Sequence, residues 1–282
     1  MKPGCYQIPE QEYHMDKMCP TPSLSRSTIK DILDCPLKAW MNHPRLNPRY
    51  KPKEKAIFDL GHVAHALFLE GTDKIFEINA DSWRSKAAQE ARDAARDEGR
   101  IPLLIEHADQ VRRMVEAADK QLADSELAIR NIREEGDSEL SYIWKERDVW
   151  MRVRPDWIRK DRKLILDYKT TSSSARPEEY ARIITSTALE IQDSFYRRGV
   201  YNIERVLPDF VFMVQEVSSP YLCTFIKLDT LFKEMGEQKV TKGIRLWSSC
   251  LKSDIWPGYS KKVCTVEPKP WALASWEMQM QG

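Results

Sequence analysis

The 282-residue sequence predicts an α/β fold: a central mixed β-sheet with helices packed on it. Three observations point there. Residues 139–170, "ELSYIWKERDVWMRVRPDWIRKDRKLILDYKT", alternate in polarity, are rich in aromatic and aliphatic residues, and carry turns near 146–148 and 160–163. They read as three consecutive antiparallel strands. The stretches before them recur with helical period, and two more helical stretches, two strands ("DFVFMVQEVSS" and "YLCTFIKLD") and a last helix follow.

Residues 1–22 are polar, contain proline and show no periodicity, so they read as a flexible arm ahead of a single domain over 23–282. "LSRSTIKDILDCPLKAW" opens a helix with Ser25 as N-cap, Leu24 and Ile29 at the hydrophobic-staple positions, and Pro36 as its limit. "HPRLNPRYKPKEK" is a basic, proline-rich loop. "KAIFDLGHVAHALFLEG" gives a helix with Ile57, Phe58, Gly61, Ala64, Leu67 and Phe68 on one face and Gly71 as its stop. Residues 84–100 are charged except for a thin alanine stripe, which fits a solvated helix or a mobile flap. An amphipathic helix follows through Val111, Met114, Val115, Ala118 and Leu122. After the strands, Pro177 sits in the first turn of a helix pair, and a helix over about 229–252 precedes a Trp-rich tail.

Lys plus Arg (44) nearly cancels Asp plus Glu (43), which excludes a simple polycationic binder but not an enzyme that confines positive charge to a groove. The six cysteines form no CxxC pair, so neither a zinc site nor a disulfide scaffold is indicated. No signal-peptide pattern and no apolar run near the ~18 residues of a membrane span occur, so the expectation is a soluble intracellular protein with no membrane partner.

Residues i and i+2 of a strand share a face, so Asp167 and Lys169 point the same way, and Asp156 on the preceding strand can lie beside them. Two carboxylates and an ammonium at one point suit a divalent cation and a phosphodiester. Spacing alone favours a structural acid–lysine pair across a hairpin over a metal site. Two further features shift the balance. Gln192 and Tyr196 fall at i and i+4 on one helical face, and His65 lies on the apolar side of its helix one turn after Gly61.

Taken together, "GHVAH", "RPD", "LDYKT" and "QDSFY" in this order resemble the PD-(D/E)XK nuclease superfamily. The resemblance is closest to the exonuclease VIII-like branch of phages and prophages, akin to the nuclease domain of RecB, and it covers roughly residues 24–272. It implies a restriction-endonuclease-like core. Asp156 and Asp167 would be metal ligands with His65, and Lys169 the catalytic lysine. Gln192 and Tyr196 would help hold a DNA end, and Glu139 is a candidate supporting acid. The implied cofactor is Mg²⁺ or Mn²⁺. No iron–sulfur cluster is expected: Cys35 sits where an upstream ligand would be, but Cys223, Cys250 and Cys264 are too widely spaced.

The resemblance implies a metal-dependent exodeoxyribonuclease that resects linear duplex DNA 5′→3′ and leaves a 3′ strand for a single-strand annealing protein. Its assembly would be a ring-shaped homo-oligomer, a trimer or tetramer, in a bacterial cytoplasm and encoded by a phage or prophage. Candidate phosphate contacts are Arg152, Arg154, Arg159, Lys160, Arg162, Lys163, Arg197 and Arg198. A structure-specific endonuclease of the same fold and a catalytically idle DNA-binding module remain alternatives.

Overall fold

The computed structural model describes residues 1–52, 60–71 and 75–280. The expected helix positions Ile57 and Phe58 lie outside the described residues.

The N-terminal segment holds strand β1 (Gly4–Gln7) and helix α1 (Glu10–His14). Next come α2 (Arg26–Asp34), α3 (Pro36–Asn42) and α4 (Leu60–Glu70). The Ser25 hydroxyl accepts the Thr28 N–H at 3.3 Å, and Leu24 and Ile29 are both fully buried, as the staple reading requires. Cys35 adopts an extended conformation that ends α2, and Pro36 opens α3 at its first turn. Gly71 ends α4 at φ +63°.

Strand β2 (Ile75–Ile78) pairs in parallel with β3 (Ile101–Leu104), and between them runs α5 (Lys86–Asp97). Ser85 caps α5, and Ala88 and Ala95 are its buried face, so the alanine stripe seats a charged helix on this small sheet. The long α6 (Ile105–Ala123) buries the five residues named above for its apolar stripe.

A short α7 (Ile132–Glu135) leads into β4 (Gly136–Ser138), β5 (Leu140–Glu146), β6 (Val149–Val153), β7 (Trp157–Arg159) and β8 (Leu164–Thr171). Then come α8 (Pro177–Thr187), α9 (Leu189–Glu204), β9 (Asp209–Glu216), β10 (Cys223–Ile226), α10 (Thr230–Ser253) and α11 (Pro270–Met280). The main sheet has the order β10-β9-β8-β7-β4. Its β8 and β9 are parallel and its other pairs antiparallel, so it is mixed.

Leu164, Leu166, Tyr168, Val211 and Met213 face a core shared with α4 and α6. Ile165, Phe210, Phe212 and Val214 face the opposite core, shared with α2, α8, α9, α10 and the second sheet. Helices thus cover both faces of the sheet, which is why β8 and β9 are nearly continuous apolar runs. No described helix is long and apolar enough to cross a membrane.

Two expectations change. The strands of residues 139–170 do not form one meander: β5 pairs with β1 on one side and β6 on the other in a separate three-stranded sheet, whereas β7 and β8 belong to the main one. The break is at Arg154-Pro155-Asp156, where Pro155 lacks an N–H for a ladder and restricts the residue before it. The N-terminal residues are not a flexible arm either. Gly4–Gln7 pair antiparallel with β5, and Ile8, Tyr13, Met18 and Cys19 are buried against Ile143. The polar character of this segment misleads because one of its acids, Asp16, is fully buried on Arg152, 2.9 Å away.

Candidate active site

The β8 pleat puts Asp167 and Lys169 on the face that meets α9. Asp167 is fully buried, and the Lys169 ammonium pairs with its Oδ1 while lying 3.6 Å from Asp156 Oδ2. Asp156 follows the Pro155 break, just before β7. Its Oδ2 accepts the Tyr168 N–H at 3.0 Å, which ties the carboxylate to β8. From the other side, α4 presents His65, with Nε2 3.1 Å from the same Oδ2 and its ring stacked on Tyr168 at 6.0 Å between centroids. Gln192 on α9 donates to Asp167 Oδ2 at 2.5 Å.

Glu139 stands where the chain leaves β4 for β5 and so changes sheet. It does this with φ +58°, a conformation few non-glycine residues adopt, and its N–H donates to the Asp156 carbonyl at 3.1 Å. Its carboxylate pairs with Arg154.

Electrostatics separates the two aspartates. Burial pushes Asp156 upward, but Lys169 and His65 outweigh it and hold the carboxyl well below the usual carboxylate range. Asp167, more enclosed and beside the Asp156 charge, is pushed up to about 7. Burial opposes a charged Lys169, yet Asp156 and Asp167 together raise its pKa and keep it an ammonium. His65 is likewise raised, Asp156 overcoming its burial, and Glu139 is raised by burial and by Asp156. Two carboxylates with divergent affinities for protons are a familiar arrangement at catalytic sites.

One ligand atom each from His65, Glu139 and Asp156 lie within 4.8 Å of one another. Mg²⁺ and Mn²⁺ hold such donors at about 2.1 Å, so adjacent donors stand about 3.0 Å apart; His65 Nε2 and Asp156 Oδ2 already have that spacing at 3.1 Å, and Glu139 would close in to complete the set. The donor chemistry also fits: carboxylate oxygens suit both ions, and one imidazole nitrogen is tolerated best by Mn²⁺. Asp167, expected as the second carboxylate ligand, lies beside this cluster with its carboxylate on Lys169 and Gln192. The cluster opens onto a cavity of about 510 Å³ whose wall includes Tyr13, His65, Asp156, Lys169 and Tyr196.

The other expected residues divide. Tyr196 reaches the cavity and packs edge-on against Phe210 at 6.2 Å. Gln192, expected to hold a DNA end, engages Asp167 with its amide and is buried. Arg154 lines the cavity, but Arg152 is a correction: it is 4% exposed, bound to Asp16 and to the Ser23 carbonyl at 3.0 Å, and presents nothing to a ligand. Arg159 pairs with Asp161 beside the β7–β8 turn, where Lys160, Arg162 and Lys163 also stand, at the far end of β8 from Lys169. Arg162 is engaged by Asp137. Arg197 pairs with Asp193, and Arg198 with Glu146 and Glu237, around a separate cavity of about 640 Å³. Sequence reasoning missed Tyr13 in the cavity wall, because the segment carrying it has no periodic signal.

Residues 25–267 match the family described as "PDDEXK-like domain of unknown function". No curated protein sequence matches the chain. Among solved structures, a protein from Eubacterium rectale bearing the name "Putative exonuclease" shares the fold with a TM-score of 0.60 at 11% identity, over 96% of this chain and 98% of that one. At that identity the likeness speaks for the fold alone. The family match spans both the Pro155-Asp156 break and the Asp167-Tyr168-Lys169 strand, and the chain belongs to the PDDEXK-like family of nuclease-fold proteins.

Proposed function

We propose that this chain is a metal-dependent exodeoxyribonuclease that resects linear double-stranded DNA from its ends, 5′→3′, and leaves a 3′ single strand for an annealing protein. The observation that carries the nuclease chemistry is the convergence of His65, Glu139, Asp156, Asp167 and Lys169, from four separate segments, at one solvent-open cavity. A structural acid–lysine pair requires neither His65 nor Glu139.

His65, Glu139 and Asp156 would hold the cation. When bound, Mg²⁺ or Mn²⁺ lowers the pKa of a coordinated water and offsets charge on the phosphodiester. The chain's own part is positional. Tyr168 N–H fixes Asp156, Gln192 fixes Asp167, and Asp167 with Asp156 keeps Lys169 charged. The Lys169 ammonium can then orient the attacking water by hydrogen bonding and stabilise the extra negative charge on the pentavalent phosphorus centre. Arg154, at the cavity wall, would meet a phosphate oxygen.

The DNA-end preference, the polarity, the annealing partner and a ring-shaped trimer or tetramer extend this reading on the resemblance alone. A time course on linear duplexes labelled at either the 5′ or the 3′ end, with Mg²⁺, Mn²⁺ or chelator, tests it. The expected result is metal-dependent release of the 5′ label first, with closed circles intact. Cleavage of closed circles would make the chain an endonuclease, and DNA binding without metal-dependent loss of substrate would make it an idle module.

A further inference from the structure

The family match begins at residue 25, yet the candidate site is walled in part by residues upstream of it. Tyr13, on α1, is 8% exposed, and both Arg152 and Arg154 lie against its ring, with guanidinium carbons 5.4 and 5.3 Å from the centroid. These arginines are i and i+2 around the end of β6 and so share a face. One ring therefore organises two cations. A guanidinium over a desolvated aromatic face is attracted by the negative charge of the ring's face.

Each arginine has a different anchor. Arg152 is fixed by Asp16, itself fully buried and accepting the Ser23 N–H at 2.9 Å and the Ser23 hydroxyl at 2.6 Å. Arg154 carries the contact onward, because its Nε pairs with Glu139 Oε2, and Glu139 belongs to the three-residue donor cluster. The contacts thus run from Asp16 through Arg152, Tyr13 and Arg154 to Glu139. Two members of this series, Asp16 and Tyr13, lie upstream of the family match.

We propose that the N-terminal segment is a positioning element of the metal site, in which Tyr13 sets the Glu139 carboxylate through Arg154. Tyr13 is not a catalytic residue, since it acts on the ligand's partner. Glu139 needs such a hold. It sits in a strained left-handed conformation at a change of sheet, and its carboxylate would otherwise be free to swing into the cavity. Partners behind a metal ligand typically change metal affinity about 10–100-fold when removed.

The inference rests on the cation reading of the site, and the test separates the two. Mn²⁺ binding to the full-length protein is measured by titration calorimetry without DNA. Binding by the native protein that is lost in Asp156→Asn supports the cation reading itself. If the native protein binds no Mn²⁺, that reading and this inference both fail. Given native binding, Tyr13→Leu is expected to weaken Mn²⁺ about tenfold while Tyr13→Phe keeps native affinity, because the ring face and not the hydroxyl meets the guanidinium. Arg154→Met should weaken it similarly, the lost hold on Glu139 outweighing the repulsion that removing a positive charge relieves, and combining it with Tyr13→Leu should add little, as expected for residues acting in series.

Should Tyr13→Leu fail to fold, pentafluorophenylalanine at position 13 keeps the shape, removes the negative ring face and should still weaken binding relative to Phe. Native affinity in Tyr13→Leu or in the fluorinated protein would overturn the proposal. So would equal losses in Phe and Leu, or fully additive losses in the double variant.

Discussion

Lys169 is held charged inside the protein by two carboxylates, one of which is also a candidate cation ligand. That double role gives Lys169→Met a signature distinct from loss of a ligand. Removing the ammonium leaves His65, Glu139 and Asp156 in place and deletes a positive charge beside them, so Mn²⁺ should bind as tightly as before or tighter. The single-turnover rate on linear duplex should nevertheless fall about 10²–10³-fold, the usual loss when one donor to developing charge is removed. Asp156→Asn should lose both rate and binding. Calorimetry beside quench-flow kinetics reads the difference, and weaker Mn²⁺ binding in Lys169→Met would contradict the placement of Lys169 outside the ligand set. At this scale the sequence was informative where a motif names an atom: Asp156, Asp167, Lys169 and His65 all converge. It was silent where a partner lies far away in the chain. Helical spacing puts Gln192 on a face but cannot say that its amide meets Asp167. Period-2 alternation likewise gives no warning that Arg152 turns inward to Asp16, 136 residues earlier.

The elements hold these residues through close approaches that a hydrophobic pattern does not reveal. Helix α9 must lie near enough to β8 for Gln192 to reach Asp167, and α10 packs behind it. Their crossing passes through Gly236, where an added Cβ would stand 2.2 Å from the Glu190 backbone carbonyl oxygen. Backbone cannot yield as a flexible side chain can, so α9 and α10 would have to separate. Gly236→Ala should therefore destabilise the fold by about 1–3 kcal/mol in urea unfolding. Because the shift passes to Gln192, it should also lower the nuclease rate up to about 10²-fold, with no change in any residue of the cavity. Native stability in Gly236→Ala would show that the crossing can relax. The long elements were readable in advance: α2 from its cap and staple, α6 from its stripe, and β8 and β9 from their apolar runs. Elements of four or five residues, β1, α1, β2 and β3, span too little chain to show a period. The division of the strands into two sheets depends on Pro155, whose effect on pairing the alternation does not display.

At the scale of the whole molecule, the N-terminal segment is sealed to the body by a buried polar cluster, and this cluster contributes to the protein's response to acid. His43 is 1% exposed. Its Nδ1 accepts the Arg45 N–H at 3.2 Å and its Nε2–H donates to the Ser23 carbonyl at 3.1 Å, so the neutral ring already satisfies both nitrogens. Around it stand Asp16 at 3.4 Å, Arg152 and Arg45 as the charged groups, and Trp247 packed against its face. Burial and the two arginines disfavour a second proton more than Asp16 favours it, and the pKa is lowered to about 4. An unfolded histidine titrates near 6.5. Between those values the unfolded chain binds a proton that the folded chain refuses, so stability is complete above about pH 6.5 and declines as pH falls toward 4. The slope for this one group approaches about 1.4 kcal/mol per pH unit, to a total of roughly 3 kcal/mol. Urea midpoints across pH 7.5–4.5 should show that decline, and His43→Gln should flatten the part it contributes while lowering stability at neutral pH. Because Asp16 and Ser23 join both His43 and Arg152, the same acid titration should release residues 1–19 before the main sheet unfolds. The signal is early loss of amide protection in β1 while β8 and β9 stay protected. Simultaneous loss in β1 and β8 would mean that the N-terminal segment unfolds only with the whole molecule.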